Sequence, residues 1–240
     1  GPNNRIYTNI SYQSSYVEQG HVFGPDASVD GEGDLQNAID EWMNTSQVKE
    51  SYENSYIYSY GHISTWNVSS VTSFYYLFYN LSDWTEFNED ISLWDVSSVT
   101  DMVGAFAECE NFNQDISNWD VSSVEDIEYM FYEAYTFNQH LNSWNVFRVT
   151  NMMQMFSKAE KFNGNIGSWD VSQVTNMEWM FRDAYEFNSD ISTWDVSQVT
   201  NMESMFNDAF TFNQHLNSWN VSKVTNMERM FRDAHEFNGN

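Results

Sequence analysis

Asp190–Gln214 reads DISTWDVSQVTNMESMFNDAFTFNQ, and most of the chain repeats that phrase. Tryptophan marks the beat at Trp66, Trp94, Trp119, Trp144, Trp169, Trp194 and Trp219. The first interval is 28 residues and each later one is 25, the extra three falling near Tyr79–Glu86. The decapeptide FNQHLNSWNV at Phe137–Val146 returns at Phe212–Val221, and FNGN at Phe162–Asn165 returns at Phe237–Asn240. Three units were therefore copied together. A period of this length indicates stacked coils that jointly bury an apolar edge none could bury alone.

Inside the unit, Ile191, Trp194, Val196 and Val199 follow the spacing L-x-x-L-x-L-x-x-L, which predicts a turn entering a short strand centred on Asp195. Thr200-Asn201 then has the chemistry of a helix N-cap. Met202, Met205, Phe206 and Ala209 recur at i, i+3, i+4 and i+7, one helical stripe. Phe212 packs the return, and Asn213 closes it. The expected fold is therefore an α/β, right-handed, leucine-rich-repeat-like solenoid with one short strand and one short helix per coil.

The aligned columns give further expectations. Asn88, Asn113, Asn138, Asn163, Asn188, Asn213 and Asn238 form a ladder at an interior turn, each amide bonding its own and the next coil. Met130, Met155, Met180, Met205 and Met230 fill the core. Cys109 occupies the column of Ala134 and Ala159, as a small buried residue rather than a nucleophile.

Organisation follows from where the period fails. Gly1-Pro2 reads as the scar of a cleaved tag, residues 3–60 as an N-terminal linker and cap, and 61–240 as seven coils. Asp34–Val48 carries Leu35, Ala38, Ile39 and Trp42 on one helical face, suiting it to cover the apolar end of the array. The chain stops at Asn240 in mid-phrase, so the array is expected to continue, and such an end invites end-to-end self-association.

Charge and composition narrow the function classes. With 9 Lys and Arg against 35 Asp and Glu, the net charge is −26, which repels nucleic acid and anionic lipid. No apolar run approaches the ~18 residues that span a bilayer. A single cysteine excludes an intrachain disulfide and a thiolate zinc cage. No glycine-rich phosphate loop, GxSxG, HExxH or EF-hand spacing is present. His62, His140 and His215 share a column but sit three coils apart, too far to share a metal. An enzyme is not expected, and no cofactor is required.

These phrases, with GDLQNAIDEW and YGHISTWNVSSVT ahead of them, resemble the BspA-like leucine-rich-repeat family of microbial surface proteins over about Gly33–Asn240. The resemblance implies a non-catalytic module displayed outside the cell, on adhesins and similar proteins. Its partner would be a protein or carbohydrate on another cell surface. The competing class is a rigid spacer with no ligand of its own.

Two surface features are candidate binding sites. If side chains alternate on a strand, Asn67, Asp95, Asp120, Asn145, Asp170, Asp195 and Asn220 form an outward row. Carboxylates ~5 Å apart repel by roughly 1 kcal/mol in water and about 3 at an effective dielectric of 20. Such a row calls for hydration, hydrogen bonds from neighbouring serines, or a cation, calcium being the ion that oxygen ligands suit, at Asp120, Asp170 and Asp195. Beside it, Phe147-Arg148 replaces the Ser-x of the other coils, a candidate anchor for a partner.

Overall fold

The computed structural model describes residues 34–46, 62–79 and 87–239. Gly1-Pro2, the expected linker upstream of Asp34, the insertion at 80–86 and Asn240 lie outside the described residues.

The first element is helix α1, Asp34–Ser46, within the span the sequence spacing predicts, whose last two residues lie outside the described residues. Leu35, Ala38, Ile39, Trp42 and Met43 are buried, the apolar face read from the sequence plus Met43. Trp42 meets the first coil edge-on, 4.8 Å from the ring centre of His62 and 6.3 Å from that of Trp66. Helix and repeats share one apolar core.

Beyond α1 the coils lie one on another. Parallel bridges join Ser73 to Asp101, Asp101 to Asp126, Asp126 to Asn151, and so on to Asn201 and Asn226. The indoles form a row: Trp144 and Trp169 stack at 6.4 Å, Trp169 and Trp194 at 6.3 Å. From Trp94 onward each indole N–H reaches the preceding coil, as from Trp169 Nε1 to the Leu141 carbonyl at 2.8 Å and from Trp194 Nε1 to that of Ile166 at 3.2 Å. A donor that would be costly to bury unpaired thus ties neighbouring coils together. Behind the indoles Phe131, Phe156, Phe181 and Phe206 stack at 5.5–5.7 Å.

The expected strand and helix are not what forms. Among the described residues the repeats contain isolated bridges, turns and one 3₁₀ turn at Ile63–Thr65. In coil six the N–H groups of Trp194, Val199, Met205, Asn207, Ala209 and Phe212 each bond the carbonyl three residues back. The N–H groups of Met202, Ser204, Phe206 and Asp208 instead cross to Asn226, Glu228, Met230 and Arg232 of the next coil at 2.8–2.9 Å. A helix would keep those donors within the segment. Ser204 and Asp208, with φ of 49° and 59°, break any helical run. A chain of three-residue turns still turns Met202, Met205, Phe206 and Ala209 inward. The apolar spacing therefore identifies the buried residues correctly and the backbone incorrectly.

The crossing bonds have a common direction. The peptides that make them, four each in coils five and six, point their carbonyls toward the preceding coil and their N–H groups toward the following one, so their dipoles add as they do along a helix. Other rungs run the opposite way: Thr200 N–H to Thr175 at 2.8 Å, and Asn213 N–H to the Asn188 side chain at 2.9 Å. The asparagine ladder bonds the next coil as expected, but most of its members are exposed rather than interior. The methionine column is buried, and so is Cys109, whose thiol is pushed up by burial.

Candidate functional site

The outward acidic row has a local explanation. Asp95, Asp120, Asn145, Asp170 and Asp195 are exposed, and each Oδ1 accepts the N–H two residues on, at 3.0–3.2 Å. This is an Asx turn, which does not require the alternating strand from which the row was read. Ser97 also donates its hydroxyl to Asp95 at 2.6 Å. Hydrogen bonds from Ser122 and Ser197, side chain first and then backbone, hold the carboxyls of Asp120 and Asp195 below the usual range. Sequence reasoning missed a second such row one turn upstream, where Asp90, Asp115 and Asp190 bond Ser92, Ser117 and Ser192. The shared D-x-S spelling is the signal that would have found it.

Phe147 is 50% exposed, and its N–H still bonds Asn145 at 3.2 Å. The turn thus survives loss of the serine hydroxyl. Arg148 lies 3.8 Å from Glu125 across an exposed pair, an interaction of small energy. Among the described residues no three His, Cys, Asp or Glu side chains gather closely enough to hold a metal ion. No described helix is long and apolar enough to cross a membrane.

A different stretch of the coil carries a groove that the sequence reading passed over. About 380 Å3 in volume, it is lined by Tyr76 and Tyr79 of coil one, Ala107 and Glu108 of coil two, Tyr129 and Tyr132 of coil three, Gln154 of coil four and Trp179 of coil five. Its origin is a size mismatch within two columns. The tyrosines of coils one and three share their columns with Gly104 and Ala107 of coil two, so two aromatic pairs flank a coil without bulk. The rings of Tyr76 and Tyr79 lie 5.3 Å apart, those of Tyr129 and Tyr132 6.1 Å apart.

Positions 76, 104, 129, 154, 179, 204 and 229 all have positive φ, between 47° and 58°. Tyr and Trp tolerate that region poorly, and glycine at 104 is not needed for backbone reasons alone. A Cβ there would stand 2.4 Å from Cε1 of Tyr76. Gly104 lets the Tyr76 ring lie over coil two.

Polar groups complete the lining. Gln154 Nε2 donates to the Tyr129 hydroxyl at 3.3 Å. Lys158 donates to the Tyr132 hydroxyl at 3.3 Å, sits 5.3 Å over that ring, and pairs with Glu133. Arg182 covers Trp179 at 5.2 Å and pairs with Asp183 at 3.3 Å. Burial, then the nearby Glu133 carboxylate, pushes the Glu108 carboxyl up, with Lys158 opposing. The Tyr76 hydroxyl is raised by burial and then by Tyr75. The groove therefore offers aromatic faces, hydroxyl donors, one amide and one carboxylate.

The family model described as "Mycoplasma protein of unknown function, DUF285" matches residues 28–85, 46–166 and 141–240. No curated protein and no solved structure matches the chain. Three overlapping matches are what a repeating chain gives, and together they take in α1 and every coil. The chain belongs to the DUF285 family.

Proposed function

We propose that this chain is a non-catalytic binding module, BspA-like within its family, displayed outside the cell on an adhesin and recognising a protein or glycan of a neighbouring or host cell. The coils form a right-handed solenoid in the leucine-rich-repeat manner, with α1 closing one end. The observation that carries the reading is the tyrosine-lined groove, a concave site of aromatic faces and a few convergent polar groups. It is built from departures within an otherwise uniform array. Phe147 and Arg148 are a second departure, exposed on another stretch of the coil, and a candidate contact for a partner.

A spacer is the second reading. It is favoured by the continuous hydrogen-bonded rungs from coil to coil, which suit a stiff rod. Arrays of proteins and glycans probed with the intact chain separate the two. Binding that is lost on Ala107→Tyr and weakened by Phe147→Ser supports the module, whereas silence on both arrays supports the spacer. Calcium has no required part in this reading, because the Asx turns already supply hydrogen-bond partners to the acidic row. Millimolar calcium or chelator should leave the melting temperature unchanged, and a marked rise with calcium would put an ion in the row.

A further inference from the structure

We infer that the groove holds an uncharged hexose chain laid along the stacking direction, its sugar faces against Tyr76, Tyr129 and Trp179. This rests on the binding-module reading and names the ligand of the same site.

Three observations converge on it. The first is spacing. In the column that begins at Tyr76, aromatic residues occupy coils one, three and five, with Gly104 and Gln154 between them. Coils joined by backbone bridges are ~4.8 Å apart, so the aromatic platforms recur at about 10 Å. Flat apolar platforms separated by polar gaps complement a chain of rings whose faces are C–H and whose edges are hydroxyl. Tyrosine and tryptophan supply the apolar face together with a polar tip.

The second is hydrogen-bonding character. Phenol hydroxyls and the Gln154 amide both donate and accept, as sugar hydroxyls do, and an ionised Glu108 carboxylate is an acceptor alone.

The third is charge. The chain carries a net −26, and Glu108 and Glu133 stand at the groove, which disfavours carboxylated and sulfated sugars. A cationic ligand is disfavoured for a different reason. Lys158 and Arg182, cations of this chain, already lie over one face of Tyr132 and one face of Trp179 and pair with Glu133 and Asp183.

The test is calorimetric titration of the intact chain with cellohexaose, maltohexaose, chitohexaose and mannohexaose, with a hyaluronan hexasaccharide as the charged control. At least one neutral hexamer should bind saturably, more tightly than its trisaccharide, while the charged control does not. Trp179→Ala should weaken that binding about tenfold, the loss of one aromatic stack. Ala107→Tyr places in coil two the residue its column already holds in coils one and three, so the array should fold while the groove is filled. Binding of the hexamer should then disappear. Hexamer binding that persists in folded Ala107→Tyr overturns the assignment to the groove. A protein partner, lost on Ala107→Tyr, with no neutral hexamer bound, overturns the sugar and leaves the module reading standing. Silence toward every oligosaccharide and both arrays overturns both.

Discussion

Two stretches of the same coil behave in opposite ways. At the Asx turn, each coil from one to seven places Asp or Asn before a residue that bonds back to it, from Asn67 and Ser69 through Asn220 and Ser222. The groove-lining columns do nothing of the kind: one column runs Tyr76, Gly104, Tyr129, Gln154, Trp179, Ser204, Arg229 on a backbone that hardly changes. The array is its own control. A side chain written in every coil is accounted for by building the coil, as the acidic row is by its Asx turns. A side chain that varies on a constant backbone is free to meet something else.

The sharpest way to break that comparison is to strike a repeated residue that is buried and one that is exposed. Trp169→Ala removes a stacked indole and the bond to Leu141. It should cost about 3–5 kcal/mol, in the range of large-to-small core substitutions. Asp170→Ala, next in sequence, loses only the turn acceptor for Ser172 and should cost about 1 kcal/mol, as loss of a capping side chain does. Urea unfolding of the two variants measures both. Equal losses would mean that the turns, rather than the row of rings, hold the coils together.

How much of this was legible depended on what kind of pattern carried it. Burial was: Ile191, Trp194, Val196, Val199, Met202, Met205, Phe206, Ala209 and Phe212 are all in the core, because apolar spacing reports facing direction whatever the backbone does. Backbone class was not. Spacings of three and four fit a helix and a succession of three-residue turns equally well. The discriminating fact, positive φ at Ser204 and Asp208, leaves no mark in residues that are neither glycine nor asparagine. Phe147 was legible as a departure from its column, and the structure leaves it exposed. The groove stayed hidden because its columns, aligned with Ser204 and Asn207, lie outside the apolar stripe of the expected helix, so the spacing gave no reason to set Tyr129 beside Trp179.

The positive φ angles offer a gain in stability rather than a loss. Arg229 has φ 56° and an exposed pairing with Glu228 at 3.5 Å, which is worth little. Left-handed backbone costs a side chain roughly 1–2 kcal/mol, and glycine returns about 0.5–1 of that through the entropy of the unfolded chain. Arg229→Gly should therefore stabilise by about 0.5 kcal/mol, read as a higher urea midpoint. A loss of stability would show that the side chain supports its coil.

The smallest effect tests a place where repetition was broken at a structural position. Asp101 and Asp126 occupy the bridge column that holds Asn151, Asn176, Asn201 and Asn226 in the later coils. Burial, then the Asp101 charge, pushes the Asp126 carboxyl up despite the bond it accepts from Glu128 N–H at 3.2 Å. A carboxyl raised on folding penalises the native state at neutral pH, and the penalty is relieved as pH falls toward the unfolded value near ~3.9. Asp120 and Asp195, lowered on folding, have the opposite sign: their stabilisation is present above that value and lost as pH falls through their folded values. Asp126→Asn keeps the acceptor, as Asn151 shows by bonding Met153 N–H at 3.1 Å, and removes the charge. Its melting temperature should exceed that of the parent at neutral pH and converge with it near about pH 4. An advantage that persisted in acid would assign the gain to the amide's extra donor instead of to the charge, and the bridge column would then favour Asn for its hydrogen bonds alone.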